Sequence, residues 1–508
     1  MLSGMSDTPA PTMAVDGLAI AAFLLYLALI VLIGLAAMRF SSAGVSEFFV
    51  GGRRMNRFVV ALSAVVSGRS AWLLLGVTGL AYATGASAIW AVTGYTVAEL
   101  LLFLFFAPRL RRFSEAYGCV TLPDVFAARF EDGDGRLRLA VVAVILVFMV
   151  SYVAAQFVGG GKAFAAGFGL APATGVALTA GIVLVYTLLG GFLAVSLTDA
   201  VQAGLMLVAL VVLPVVAVVD FGGWHMVAGA LTAQSPTLVD PLALSGGALL
   251  GFLGIGLGSP GSPHIVVRYM SIADPAQLRV SALVGTVWNV VMGWGAVAIG
   301  LAGRAYFPEV TALPGADTEQ LFPTLAREHL HPFVFGAVVA AVFAAIMSTA
   351  DSQLLVAASA VVRDVYQQVV ARGREVSERL LVAYSRTAVV VLVLLALALG
   401  IVASELVFWL VLFAWAGPGA ALGPPLLVAF AWRGATRAGM LAGILAGTLT
   451  TVVWYLTPAL KGAMYELVPG FAAGLAATIV VSLLTRRPAT TDAMFEAMEG
   501  PRRRGPGI

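Results

Sequence analysis

Thirteen apolar runs, each long enough to cross a bilayer, dominate this 508-residue chain: 15–38, 58–82, 86–107, 137–166, 172–190, 193–217, 242–267, 280–303, 332–361, 383–402, 405–431, 438–457 and 463–485. A helix of about 20 apolar residues spans the hydrocarbon. A backbone in lipid must satisfy its own hydrogen bonds, so such runs become helices. With 60% hydrophobic residues, 11% charged and a mean hydropathy of +0.99, the composition excludes a soluble protein and predicts an all-α membrane protein. The longest polar loops, 304–331 and 363–382, are too short for a soluble domain, so 1–508 reads as one transmembrane unit. Segment 1–14 has no basic n-region and no small-residue cleavage site, and reads as a short tail. The single Cys119 excludes an internal disulfide.

Charge placement sets the expected topology. With the N-terminus outside, 24 of the 29 Lys and Arg fall on inside segments, Arg268 and Arg279 among them. Outside segments keep only Lys162, Arg304, Arg327 and Lys461, an asymmetry that predicts an outside N-terminus and a cytoplasmic C-terminus. The net charge of +3 then reflects topology and gives no reason to invoke nucleic acid. Lys162, at the outer end of the fourth run, reads as an interface marker rather than a gate.

Three stretches break the apolar pattern. Ser67-Gly68-Arg69-Ser70 interrupts the second run, and Gly254, Gly256, Gly258, Pro260, Gly261 and Pro263 crowd the seventh. Irregular backbone at membrane depth is tolerated where it lines a protein-buried cavity. Breaks opening each of two five-helix units predict a LeuT-type inverted repeat, with spans 2–6 and 7–11 flanking a midplane site. The third stretch, within the ninth run, gathers Ser348, Thr349, Asp351, Ser352 and Gln353 in two helical turns. Such oxygens suit a desolvated alkali cation or a small polar solute. Ala341, Ala345, Ser348 and Ser352 also form a small-residue stripe that would let helices approach closely. Asp351 favours a site.

Several collinear blocks resemble the sodium/solute symporter family, and within it the bacterial sodium/proline symporters: FFVGGRRMNRFVVALSA (48–64), VTLPDVFAARFED (120–132), GGFLAVSLTDAVQAGLM (190–206), SPHIVVRYM (262–270), MSTADSQLLVAASAV (347–361), FAWAGPGAALGPPLL (413–427) and MYELVPGF (464–471). The resemblance implies about thirteen helices in a multi-pass inner membrane protein. It divides the chain into a first helix and loop (1–57), a ten-helix core (58–431), two accessory helices (432–485) and a cytoplasmic tail (486–508). It implies sodium-coupled symport of a small organic solute, proline or a related amino acid, by alternating access. Sodium, as cargo, would be held by the carbonyls of Val66 and Arg69 and by Ala345, Ser348 and Thr349, with Asp199 supporting. The solute would meet Ser70, Trp72, Tyr152, Ile255, Ser259 and Pro263.

Departures from the family pattern qualify those expectations. Gly68-Arg69 stands where proline symporters carry an aspartate and a methionine, putting a guanidinium beside the ion site. A charge at that depth needs a partner. Glu99 is favoured, since both residues lie about 13 positions from the turn near 82–86; Asp351 is the other candidate. Arg69 could instead bind a substrate carboxylate or stand in for the ion, making a proton-coupled or cation-independent carrier. Ile255 and Ser259 replace family aromatics, which predicts an enlarged or reshaped pocket. A non-transporting membrane sensor of the same fold is a further alternative. His225, His264, His329 and His331 show no metal-binding spacing, and no nucleotide loop is present, so an enzyme is not expected.

Overall fold

In the computed structural model, residues 16–41, 50–372, 374–403 and 406–499 are described. Segment 1–14 and Arg502, Arg503 and Arg504 lie outside them. The described chain is helical almost throughout. Its main helices are α1 Gly17–Ser41, α2 Arg57–Ser67, α3 Thr78–Thr84, α4 Ile89–Leu101, α5 Arg136–Phe168, α6 Pro172–Asp220, α7 Gly246–Gly254, α8 Pro263–Ser271, α9 Leu278–Tyr306, α10 Pro332–Ser359, α11 Glu378–Val402, α12 Val407–Ala431, α13 Arg437–Leu456 and α14 Leu467–Leu484.

Among the described residues, ten helical stretches are long and apolar enough to cross a membrane alone, and eleven if the bent pair around α7 and α8 counts as one. The expected thirteen is therefore not a count of such helices. It is reached only by regrouping shorter pieces. The stretch Trp72–Ala116 must double back, because Trp72 and Tyr95 meet with ring centroids 5.7 Å apart. Twenty-three residues of straight helix would separate them by about 35 Å. The reversal falls at Gly85, whose φ of 69° is left-handed. α6 likewise breaks at Gly191, with φ 64° and ψ −178°, and Tyr186 before the break meets Thr198 after it.

Both expected interruptions are present. α2 ends at Gly68; Ser70 takes φ 49°, and the chain restarts through a π-helical turn over Trp72–Val77 into α3. α7 runs into a 3₁₀ turn over Ile255–Gly261, and α8 leaves it at 53°. α10 and α12 form the centre: 83% and 89% of their most apolar windows are buried, against 33% and 28% for α13 and α14. α13 and α14 lie at the edge and pack closely on each other. A Cβ at Gly443 would stand 1.9 Å from Thr478 Oγ1. Cys119 is buried in the loop before Leu122–Arg129.

Polar ties close both ends of the central helices. At one end Lys162 on α5 reaches Asp317 Oδ2 at 2.7 Å and Glu319 Oε2 at 2.6 Å. Glu319 in turn accepts from the Val407 and Phe408 amides at 2.9 and 2.8 Å, capping α12. At the other end Arg138 Nη1 donates to Asp124 Oδ1 at 2.7 Å and to Asp364, which also accepts from Thr121 Oγ1 at 2.9 Å.

Candidate ion and solute site

The two breaks and the polar turn of α10 converge. Thr349 Oγ1 donates to the Ser67 carbonyl at 3.0 Å, and Ser348 Oγ approaches the Val66 and Ala345 carbonyls at 3.5 and 3.1 Å. Two hydroxyls and three carbonyls thus gather without a formal charge, a donor set suited to a hard monovalent cation. Val66, Ala345, Ser348 and Thr349 are brought together. Arg69 is not there in the expected way: its carbonyl accepts from the Leu73 amide at 3.1 Å and its side chain points elsewhere. Ser67 supplies the carbonyl that Thr349 meets.

Asp199 lies on the other side of Ser67. Its Oδ2 accepts from Ser63 Oγ at 2.5 Å, Ser67 Oγ at 3.2 Å and Arg268 Nη2 at 3.1 Å. Arg268 is only 1% exposed, which corrects its sequence reading as an inside-facing topological charge. Three of the other inside arginines, Arg111, Arg129 and Arg138, are buried as well, so part of the charge asymmetry holds the fold together.

The carboxylate that meets Arg69 is that of Glu99, not Asp351. Arg69 Nη2 donates to Glu99 Oε2, and Asn289 closes the triangle, accepting from Arg69 Nε at 2.9 Å and donating to Glu99 Oε2 at 2.8 Å. The Tyr95 ring covers the guanidinium, with Cζ 3.7 Å from its centre. Asp351 lies instead beside Ser352, whose hydroxyl donates to it at 3.1 Å. The guanidinium is therefore neutralised away from the Ser348 and Thr349 hydroxyls.

Beside this triangle is a narrow cavity of about 10 Å³, lined by Gly68, Arg69, Trp72, Tyr95, Tyr152, Ile255, Val411, Leu412 and Trp415. Ser70 does not line it but contacts two residues that do. The left-handed backbone of Ser70 turns its Oγ to accept from the Trp72 amide at 3.1 Å and to meet Tyr152 Oη at 3.4 Å. Gln156 on α5 accepts from the Ala71 amide at 2.9 Å, so the opening turn of the second half-helix is capped from two sides. Ser259 and Pro263 do not line the cavity: Ser259 Oγ turns toward Glu99 at 3.5 Å, and Pro263, opening α8, faces a separate crevice with Arg268 and Ser352. An aromatic reaches this wall from another helix. Trp415 of α12 supplies it, donating to the Ile255 carbonyl at 2.8 Å across the glycine surface of Gly258.

Sequence reasoning passed over Tyr95, Trp415 and Asn289, and took Arg268 for a topological charge. Tyr95 carried a signal, lying four residues before Glu99 on one helix face.

The family profile described as the sodium:solute symporter family matches residues 48–447. This chain belongs to that family. Among similar proteins, the symporter is 36% identical over 479 residues to the osmoregulated proline transporter OpuE of Bacillus subtilis, covering 94% of this chain and 96% of that one. It is 37% identical over 479 residues to a sodium/proline symporter of Staphylococcus aureus, covering 91% and 92%. Its fold matches a Na+-coupled sialic acid symporter with a TM-score of 0.77 at 19% identity, over 93% of this chain and 99% of the other. A nucleobase-cation-symport-1 family transporter matches more loosely, with a TM-score of 0.58 at 14% identity over 90% and 100% of the chains. The symporter is thus an integral membrane protein built on the LeuT-type fold.

Proposed function

We propose that this protein imports proline, or a closely related amino acid, together with sodium. The reading is carried by the Ser348 and Thr349 hydroxyls meeting the carbonyls at the end of α2. Sodium held there would tie α10 to the break of the second span. That break also positions Ser70 and Trp72, so ion occupancy would set the shape of the solute pocket. Within it, Trp72, Tyr152 and Trp415 offer apolar faces to a pyrrolidine ring. The Arg69 guanidinium, whose Nη1 makes only a 3.4 Å contact to the Gly68 carbonyl, offers a donor to its carboxylate. Pairing of Arg69 with Glu99 supports sodium over a resident arginine as the coupling ion, because the guanidinium charge is already compensated. The names of the relatives point the same way. In the membrane we place the N-terminus outside and the C-terminus in the cytoplasm, on the distribution of Lys and Arg.

The test is uptake of labelled proline into proteoliposomes with and without an inward sodium gradient, with Ser348→Ala/Thr349→Ala as comparison. Sodium-driven accumulation in the parent protein, lost in the double variant, is the expected result. Uptake indifferent to sodium would overturn the coupling, and no uptake of proline would overturn the solute.

A further inference from the structure

A cavity of about 810 Å³ lies on the periphery of the bundle and shares no residue with the ion and solute site; Leu104, Phe105, Arg109, Arg112, Pro275 and Arg279 are among its walls. Two antiparallel segments make it. Gly285 of α9 faces Phe103, Asn289 bonds to Glu99, and Gly293 faces Val92, so residues whose numbers rise along one segment meet residues whose numbers fall along the other. Extending that register sets Leu101 level with Val287, Phe105 with Leu283 and Arg109 with Arg279. The first four are exposed, Phe105 by 68% and Leu283 by 67%. An apolar seam between two helices thus runs down to a pair of arginines, with Arg112 on the turn after Arg109.

Among the described residues none of these three arginines has a carboxylate partner. Arg109 donates only to the Phe430 carbonyl at 3.2 Å, and Arg112 to the Met498 and Glu499 carbonyls at 3.1 and 3.2 Å; Arg279 makes no such bond. The acids close by in sequence are engaged: Glu115 pairs with Arg111 at 2.7 Å, and Asp274 Oδ1 accepts from the Ala276 amide at 2.9 Å. Residues 500–508, which follow Glu499, hold no acidic side chain. Guanidinium groups with spare donors are suited to a phosphate diester. A free phosphate would have no use for the seam above them, whereas an amphiphile fills both parts. We propose that this cavity binds one anionic phospholipid, with its phosphate on Arg109, Arg112 and Arg279 and an acyl chain along Phe105 and Leu283. Lying there, the lipid holds together the two helices that carry Glu99 and Asn289. The inference rests on the topology under Proposed function only for the leaflet, which is then the cytoplasmic one.

The experiment is native mass spectrometry of the purified full-length protein, delipidated in mild detergent and offered equal amounts of phosphatidylglycerol and phosphatidylcholine. The parent is expected to retain one phosphatidylglycerol, preferred roughly tenfold or more over phosphatidylcholine. Arg109→Gln/Arg112→Gln/Arg279→Gln is expected to lose that preference. Because Arg109 and Arg112 also hold backbone carbonyls, the triple variant can fail to fold; Arg279→Glu then decides, and its retention of phosphatidylglycerol should fall by roughly tenfold. Equal retention of the two lipids by the parent, or an unchanged preference in Arg279→Glu, overturns the proposal. Displacement of phosphatidylglycerol by millimolar inorganic phosphate would make the ligand a free anion and overturn the lipid. The leaflet is read separately, by labelling Ala276→Cys with an impermeant maleimide in vesicles of known orientation. Labelling in inside-out vesicles alone is expected; labelling in right-side-out vesicles would sink the topology and leave the binding result standing.

Discussion

Arg69 shows how a side chain foreign to its position is accommodated. Its charge is cancelled within one triangle by Glu99 and Asn289, under the Tyr95 ring. Removing one member of such a pair strands the other, at a cost of about 3–5 kcal/mol, whereas removing both charges together costs far less. Arg69→Met and Glu99→Gln should therefore each lower the thermal unfolding midpoint in detergent sharply, while the double variant regains most of the loss. Additive losses would show that the two groups are not coupled. Glu99 was legible in the sequence because depth can be counted from a turn and few acids occur at that depth. Arg268 was not, because an arginine near a span end looks the same whether it faces the cytoplasm or folds back among four helices. Trp415 was equally silent: an indole in an apolar run reveals its neighbours only once α12 is placed against the 3₁₀ turn.

At the level of helices, Gly and Pro density marked the second break, since a stretch so poor in side-chain restraint and backbone donors cannot hold a regular helix, while the polar Ser67-Gly68-Arg69-Ser70 interruption marked the first. The reversal at Gly85 was also legible, from the gap between two apolar runs. The π-helical turn at Trp72–Val77 was not, because no residue type demands it. The glycines of the second break serve contact as well as bending. A Cβ on Gly256 would stand 2.3 Å from the Gly94 carbonyl of α4, backbone that cannot swing aside. Gly256→Ala should reduce folded yield and abolish uptake, as size-exclusion profiles and transport assays would report. Gly181→Ala, at a site with open space around the new methyl, should behave like the parent. Equal tolerance of both changes would mean that α4 and the break are less closely joined than the structure has them.

Over the whole molecule, the central helices are fastened at both ends, and each fastening uses charge. Lys162 is more than an interface marker, since it joins α5 to the Asp317–Glu319 turn, and Glu319 caps α12, whose Phe408 stacks on Trp72 with centroids 6.0 Å apart. Glu319→Gln weakens the lysine tie and the cap together. A cysteine placed at Phe408 should then react faster with a membrane-impermeant thiol reagent than it does with Glu319 intact, by roughly the tenfold that about 1.4 kcal/mol represents. An unchanged rate would show that the tie does not restrain opening. That assay draws on a quieter feature, the lone Cys119. Burial pushes its thiol up to about 12, so at neutral pH only about one molecule in 10⁵ offers a thiolate there. In the folded state the native chain should stay unlabelled by maleimide for hours, and denaturation should expose it. To a spectroscopist the natural protein is already a dark background, on which a single introduced dye or spin label can report motion without first removing anything.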